Sequence, residues 1–213
     1  GRIVYCDIKK AVEKIENMWR YMMLIDFDLI TIIIGVVCYL IWCWFIHKKY
    51  HKENIYYIYS TIMFIYFMVL IKVTLFPIMM IDGMPSNVNE NVNFIPFANG
   101  IGRTDILNLI MTIPFGIGMP FVSKLNSLTK SALSGAALGI CIELTQYAET
   151  LLTGGFTLRT IDINDVIFNC GGSIVGFILL YGVAKMICRL QLDDKKLNAF
   201  WSYAYHICRG VVR

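Results

Sequence analysis

Apolar residues run through this chain in five blocks set apart by short polar stretches, at 29–46, 55–76, 106–122, 131–152 and 165–187. Four of them match the roughly 17–25 residues a helix needs to cross hydrocarbon. The block at 106–122 is slightly short and contains Pro114, which predicts a kinked or tilted span. Before the first block, Val12, Ile15, Trp19, Met22 and Met23 recur at helical spacing, with Glu13, Lys14, Glu16 and Arg20 opposite. This pattern predicts an amphipathic helix on the membrane surface or against a partner. After the last block, Leu197, Phe200, Trp201, Ala204 and Cys208 recur similarly behind Asp193-Asp194, predicting a second interfacial helix. The expected fold is all-α, a polytopic transmembrane bundle of five spans with amphipathic helices at both termini. The expected division is 1–28 for the first interfacial helix, 29–188 for the bundle and 189–213 for a cytoplasmic tail.

Composition agrees, since 57% of the 213 residues are hydrophobic and 16% are charged, against about a quarter charged in ordinary soluble domains. Basic residues set the expected orientation. Lys48, Lys49 and Lys52 follow the first block, Lys124 and Lys130 follow the third, and Arg189, Lys195, Lys196, Arg209 and Arg213 follow the fifth. The opposite loops hold only Arg103 and Arg159, which puts the amino terminus outside and the carboxyl terminus in the cytoplasm. Arg2, Lys9, Lys10, Lys14 and Arg20 count against this, although Asp7, Glu13, Glu16, Asp26 and Asp28 balance them. The net charge of +4 is then mostly topological, and no nucleic acid partner is expected. No pair among the seven cysteines has C-x-x-C spacing. No short cleavable leader is read at the amino end, so the first span is expected to direct insertion. The 77–104 loop is rich in Asn, Pro and Gly and carries an apolar piece, Phe94-Ile95-Pro96-Phe97, able to dip into the outer interface. Small residues at Ser134–Gly139 and Gly171–Gly176 predict close approach of the fourth and fifth spans.

The stretch Arg159-Thr160-Ile161-Asp162-Ile163-Asn164-Asp165 runs into the last block and continues as Asn169 and Gly172. On a helix, positions 162, 165, 169 and 172 lie within about 80° of one another. A carboxylate in mid-bilayer costs roughly 2.5–3.5 kcal/mol even on lenient insertion scales, so such a stripe is expected to face a protein interior or a wet cavity. Two other blocks carry the same spacing, as Asp105, Asn108 and Thr112 and as Glu143, Gln146 and Thr150. With the fourth span ending near 152, Glu143 lies ~13 Å below that end. The three sets are expected to converge in the outer half of the membrane, with Lys72, Arg103 and Arg159 as compensating cations. A basic rim over an acid floor suits an amphiphile whose phosphate or carboxylate meets Arg while hydroxyls or amines meet Glu and Asp. Two carboxyls with separated pKa values suit acid–base catalysis, and three suit a divalent cation. The alternatives are structural: Glu143 paired with Arg159 to hold the bundle, and Asp105 as a helix cap. His47 and His51, set among lysines, read as a solvated basic loop. No nucleophile elbow, phosphate loop or zinc-protease motif is present.

Four elements in order resemble the VanZ-like family of bacterial membrane proteins over about 93–176. They are Asn93-Phe94-Ile95-Pro96-Phe97, similar to N-[LI]-[IT]-P-F; Asn108 through Thr112, Ile113, Pro114 and Gly116, similar to N-x-x-x-F-x-P-x-G, with Ile113, and Thr112 beside it, before the proline where a phenylalanine is common; Glu143-Leu144-Thr145-Gln146, similar to E-x-x-Q; and Arg159 through Gly172, similar to R-x-x-D-x-x-D-x-x-x-N-x-x-G. The resemblance implies the Gram-positive cell envelope and resistance of the teicoplanin type, teicoplanin being an acylated glycopeptide. It does not supply a reaction. Three functions follow as expectations: binding or remodelling of a lipid-linked cell-wall component or acylated glycopeptide, intramembrane transferase or hydrolase chemistry, and lipid or solute transport. Glu143, Asp162 and Asp165 are the candidate catalytic acids. Lys72, Asn93, Arg103, Asn108, Gln146, Arg159 and Asn169 are the candidate ligand-binding residues. Membrane lipids or a lipid-linked precursor are the expected partners, and neither a metal nor a cofactor is expected.

Overall fold

The structure, a computed structural model, describes residues 22–81, 92–98, 100–153, 161–193 and 196–213. The first apolar block forms α1 (Leu29–Tyr50), which starts where the Asp28 carboxylate accepts the Thr31 N–H at 3.0 Å. That bond holds the Asp28 carboxyl below the usual carboxylate range. The second block forms α2 (Asn54–Leu75), antiparallel to α1 across a turn at His51, whose φ of 46° lies in the left-handed region. β1 (Met22–Ile25) pairs antiparallel with β2 (Ile78–Ile81), joining the chain ahead of α1 to the chain beyond α2. A two-residue parallel pairing joins β3 (Val92–Asn93) to β4 (Ile161–Asp162). Between and after these run α3 (Arg103–Val122), α4 (Leu128–Leu152), α5 (Ile163–Arg189) and α6 (Ala199–Val212).

α5 is the centre of the bundle, packed on α3, α4 and α6. Missing side chains make this possible, because helices in lipid associate through close van der Waals approach rather than hydrophobic expulsion. A Cβ on Gly176 would stand 2.1 Å from the Ile113 carbonyl oxygen, and one on Gly172 would stand 2.1 Å from that of Leu109. Gly116 of α3 meets the Ser173 carbonyl as closely, so the two backbones lock reciprocally. On the opposite side of α5, Gly135 and Gly139 of α4 admit Ser173 and Asn169. The small residues of α5 thus serve two neighbours: Ser173 faces α4 as expected, whereas Gly172 and Gly176 face α3. The Ser131 and Ser173 hydroxyls stand 2.9 Å apart, and each donates to the other's helix.

The chain is mostly helical, with the two short strand pairs qualifying the all-α expectation. Among the described residues four helices are long and apolar enough to cross a membrane, α1, α2, α3 and α5, and the protein is a multi-pass membrane protein. The 106–122 block, extended back to Arg103, is among them. α4 is not, because Glu143, Thr145, Gln146 and Glu149 dilute its apolar content. Of the amphipathic pattern ahead of α1, residues 1–21 lie outside the described residues, and Met22 and Met23 are extended in β1 rather than helical. The tail does form a helix, but it begins behind Asn198, whose side chain accepts the Trp201 N–H at 3.0 Å, and not behind Asp193-Asp194. It docks on the bundle, with Cys208 and Val211 closing a core on Phe177, Leu180 and Ala184. Tyr59 stacks on Phe121, Phe200 and Tyr203 at the same end.

Candidate functional site

The polar groups gather at the head of α5. Asp162 is extended (φ −127°) and caps the helix, its carboxylate accepting the Asn164 N–H at 2.9 Å. The acid-rich stripe therefore starts one position before the helix, with Asp165 in its first turn. Two asparagines fasten the segment 92–98 to this head. Asn93 donates through Nδ2 to both Asp162 oxygens at 3.1 Å each, and its own Oδ1 accepts the Ile95 N–H. Asn164, 2% exposed, accepts the Phe97 N–H at 2.9 Å. The pairing of β3 with β4 sets both contacts. α4 joins the cluster through Glu143, 6% exposed, whose Oε2 accepts the Asp162 N–H at 3.0 Å. Asp165 faces the Glu143 carboxyl and the Asn108 amide of α3. Gln146, one turn beyond Glu143, donates to the Thr74 carbonyl of α2 at 2.8 Å.

Two clefts meet at these acids. One, about 720 Å³, is polar, with Asp105, Asn108, Gln146, Asp162, Asn164 and Asp165 in its wall. The other, about 540 Å³, is walled by Phe94, Ile140, Leu144, Tyr147 and Val166, with Glu143 and Asp162 as its polar groups. Asp162 lines both. One turn deeper than Asp165 on α5, Asn169 is fully buried against Gly139, itself one turn from Glu143. Both atoms of its amide lack a hydrogen-bond partner.

The profile of the VanZ/LLP1 family matches residues 63–187, more than half of the chain. The protein belongs to the VanZ/LLP1 family. No curated protein and no solved structure matches it. The VanZ/LLP1 segment takes in the later part of α2, the β3–β4 latch, α3, α4 and nearly all of α5. It therefore contains every residue of both clefts, and it leaves α1 and α6 outside.

Within this VanZ/LLP1 core the structure brings Asn108, Glu143, Gln146, Asp162 and Asp165 together, with Asn93 at the edge of the cluster and Asn169 beneath it. Their hydrogen bonds separate their parts. Asp162 is occupied by the cap and the latch, and Asp105 accepts the Gly102 N–H at 2.6 Å, the capping alternative. Thr112 and Thr150 bond carbonyls of their own helices. Asp165 joins α5 to Asn108 of α3 and Glu143 of α4 and caps nothing, and the amide of Asn169 has no partner. The expected cations stand apart. Lys72 is exposed beside Phe27, its Nζ 5.9 Å from the ring centre, in a separate apolar groove with α1. Arg103 is exposed at the first position of α3 and lines neither cleft. Arg159 lies outside the described residues. Among the described residues, no Lys or Arg forms an ion pair with Glu143, Asp162 or Asp165, and no three His, Cys, Asp or Glu side chains converge to hold a metal. Sequence reasoning missed Asn164. It stands within the acid-rich stretch but off the stripe, and only its bond to Phe97, 67 residues away, reveals its role.

Proposed function

We propose that this VanZ/LLP1 protein is a cell-envelope protein that binds or remodels an amphiphile, a lipid-linked cell-wall component or an acylated glycopeptide, as in resistance of the teicoplanin type. One observation carries the reading: a polar cleft and an apolar cleft lie side by side and share Asp162 as their common wall. A polar head in the first cleft would leave its chain beside Ile140, Leu144 and Val166 in the second. In this reading α4 is the fifth span, brought into the membrane by the glycine contacts that bind it to α5. The amino terminus and both clefts face outward, as the lysines in the last turn of α1 and the arginine that ends α5 favour. The exposed Phe94-Ile95-Pro96-Phe97 segment then rests at the outer interface.

A Leu144→Trp substitution fills the apolar cleft from an exposed position without touching the acids. The wild type, extracted in a mild detergent, is expected to carry an amphiphile detectable by mass spectrometry, and Leu144→Trp to lose it along with teicoplanin resistance. Equal bound amphiphile in both proteins would sink the reading.

The pairing of Glu143 with Asp165 favours a second reading, in which the two carboxyls act as acid and base on the bound head. It requires turnover by purified protein that Asp165→Asn abolishes. Product formed at the wild-type rate by that variant would remove Asp165 from the chemistry.

A further inference from the structure

We propose that a groove between α1, α2 and α3, at the end of the bundle away from the two clefts, holds one acyl chain of an anionic phospholipid, with the phosphate at Lys52 and Lys124. The inference stands apart from the amphiphile reading and uses none of its residues. The groove, about 340 Å³, is walled by Tyr39 and Trp42 of α1, by Met63, Phe64 and Phe67 of α2 and by Val122 of α3. The Tyr39 hydroxyl is engaged with that of Thr61 at 2.9 Å, and the Ser123 hydroxyl donates to the Met119 carbonyl at 2.7 Å. The wall therefore offers mostly apolar and aromatic surface, which suits hydrocarbon. From Ser60 to Phe67 it follows α2 for ~10 Å. That is most of the ~15 Å depth of one leaflet, in the direction a lipid chain takes. α1 lies outside the VanZ/LLP1 segment, so the family core alone does not form this groove.

Charge complementarity selects the head. Tyr56, 5% exposed, donates its hydroxyl to the Val122 carbonyl at 3.2 Å, and its ring lies 6.4 Å from that of Trp42. It thus ties α2 to the last turn of α3 beside the groove. The Lys52 Nζ stands 5.3 Å from the centre of the same ring, a cation–π contact that keeps the ammonium at this end of the groove. Lys124 directly follows the groove residue Ser123 and is exposed. This is also the end where Lys48 and Lys49 close α1 and Arg189 closes α5. Of the acids described there, Glu53 and Asp193, neither lines the groove, and Asp193 meets Lys196. A basic pocket between spans is the arrangement that takes the phosphate of an acidic lipid, and lysine stems reach such a head from span ends. A zwitterionic head would bring its own ammonium into the same positive field and gain less from it.

The test uses the full chain in phosphatidylcholine vesicles and reads tryptophan quenching by phosphatidylglycerol or phosphatidylcholine brominated on the same chain. Trp42 lines the groove. Trp44, 63% exposed and 5.2 Å from the Lys48 Nζ, lines none of it and reports the effect of charge alone. Trp42→Phe and Trp44→Phe separate the two signals. At Trp42, brominated phosphatidylglycerol is expected to quench at about tenfold lower mole fraction than the phosphatidylcholine, with a smaller ratio at Trp44. Lys52→Gln with Lys124→Gln is expected to lower the Trp42 ratio to that of Trp44. Millimolar glycerol phosphate, which brings a phosphate but no chain, is expected to leave the quenching unchanged on the wild type, a result independent of any charge variant. If it reverses the quenching, the lysines recognise a free phosphate and the groove has no part. Equal ratios at Trp42 and Trp44 would mean general enrichment of acidic lipid, and shielding of Trp42 from both lipids would mean a protein segment or a second copy in the groove. Either result overturns the proposal, as does a Trp42 preference unchanged in the double lysine variant.

Discussion

The two halves of α5 solve opposite problems. From Gly172 to Ala184 the helix buries glycine, alanine, serine and apolar side chains against α3, α4 and α6, with backbones close enough that a methyl group would overlap a carbonyl. From Asp162 to Asn169 the same helix collects carboxyls and amides beside two open clefts. The tight half fixes where the head of the helix stands, and the polar half uses that fixed position. Substitutions in the tight half should therefore destroy the fold, and those in the polar half should spare the fold while removing function. The latch residues lie between these extremes.

The largest effect is expected at Gly176. A valine there drives its side chain into the Ile113 carbonyl and the Gly116 backbone, which cannot swing aside as a long side chain would. Overpacking costs typically 1–3 kcal/mol and more where backbone blocks relaxation. Gly176→Val should fail to accumulate as a monodisperse protein on size-exclusion chromatography. At Gly182, where an added Cβ meets nothing within 4 Å, the same valine should be tolerated. If the two variants behaved alike, the backbone lock would not be what holds α3 to α5. Next comes the latch. Asn164→Ala leaves the Phe97 N–H without its acceptor, a loss of about 1–3 kcal/mol if the site stays closed to water. The expected readout is faster protease cleavage within 92–98, with α3 to α5 still protected. Ser173→Ala removes one side of the reciprocal bond with Ser131, and about 0.6–1.5 kcal/mol of thermal stability should go with it.

The helices were legible because lipid imposes its own length on apolar runs, and Pro114 did not interrupt the third of them. The site was legible as chemistry but less so as geometry. Helical spacing alone brought Glu143, Asp165 and Asn108 to one place, because their three helices meet around α5. It misjudged Asp162, since a capping residue precedes the helix and does not share its periodicity. It also placed Lys72 with the acids from depth alone. Depth fixes the level of a residue and not its direction, and Lys72 points to Phe27 and α1. Asn164 escaped for a different reason, and for Asn93, named as a candidate, it was the partner that escaped. Their partners are set by a two-residue strand pairing between distant segments, too short to leave an alternating pattern.

The smallest effect on stability, and the sharpest contrast with Gly176, is expected at Asn169. Leucine is close to asparagine in shape but has no polar atoms. Where both atoms of a buried amide lack partners, replacing it with an apolar group removes an unmet desolvation cost and should leave thermal stability unchanged or raised. Two results are then possible in the same variant. If Asn169→Leu keeps its melting temperature and loses the amphiphile expected with the wild type, the amide belongs to the site, and the polar half of α5 is maintained for a ligand at the expense of packing. If the variant is stabilised and binds as before, the amide is an idle member of the interface, and the working groups stop at Asp165. A loss of several degrees in melting temperature would contradict both, because it would mean that Asn169 supports the fold as Gly172 does. The division of α5 would then fall one turn nearer its head.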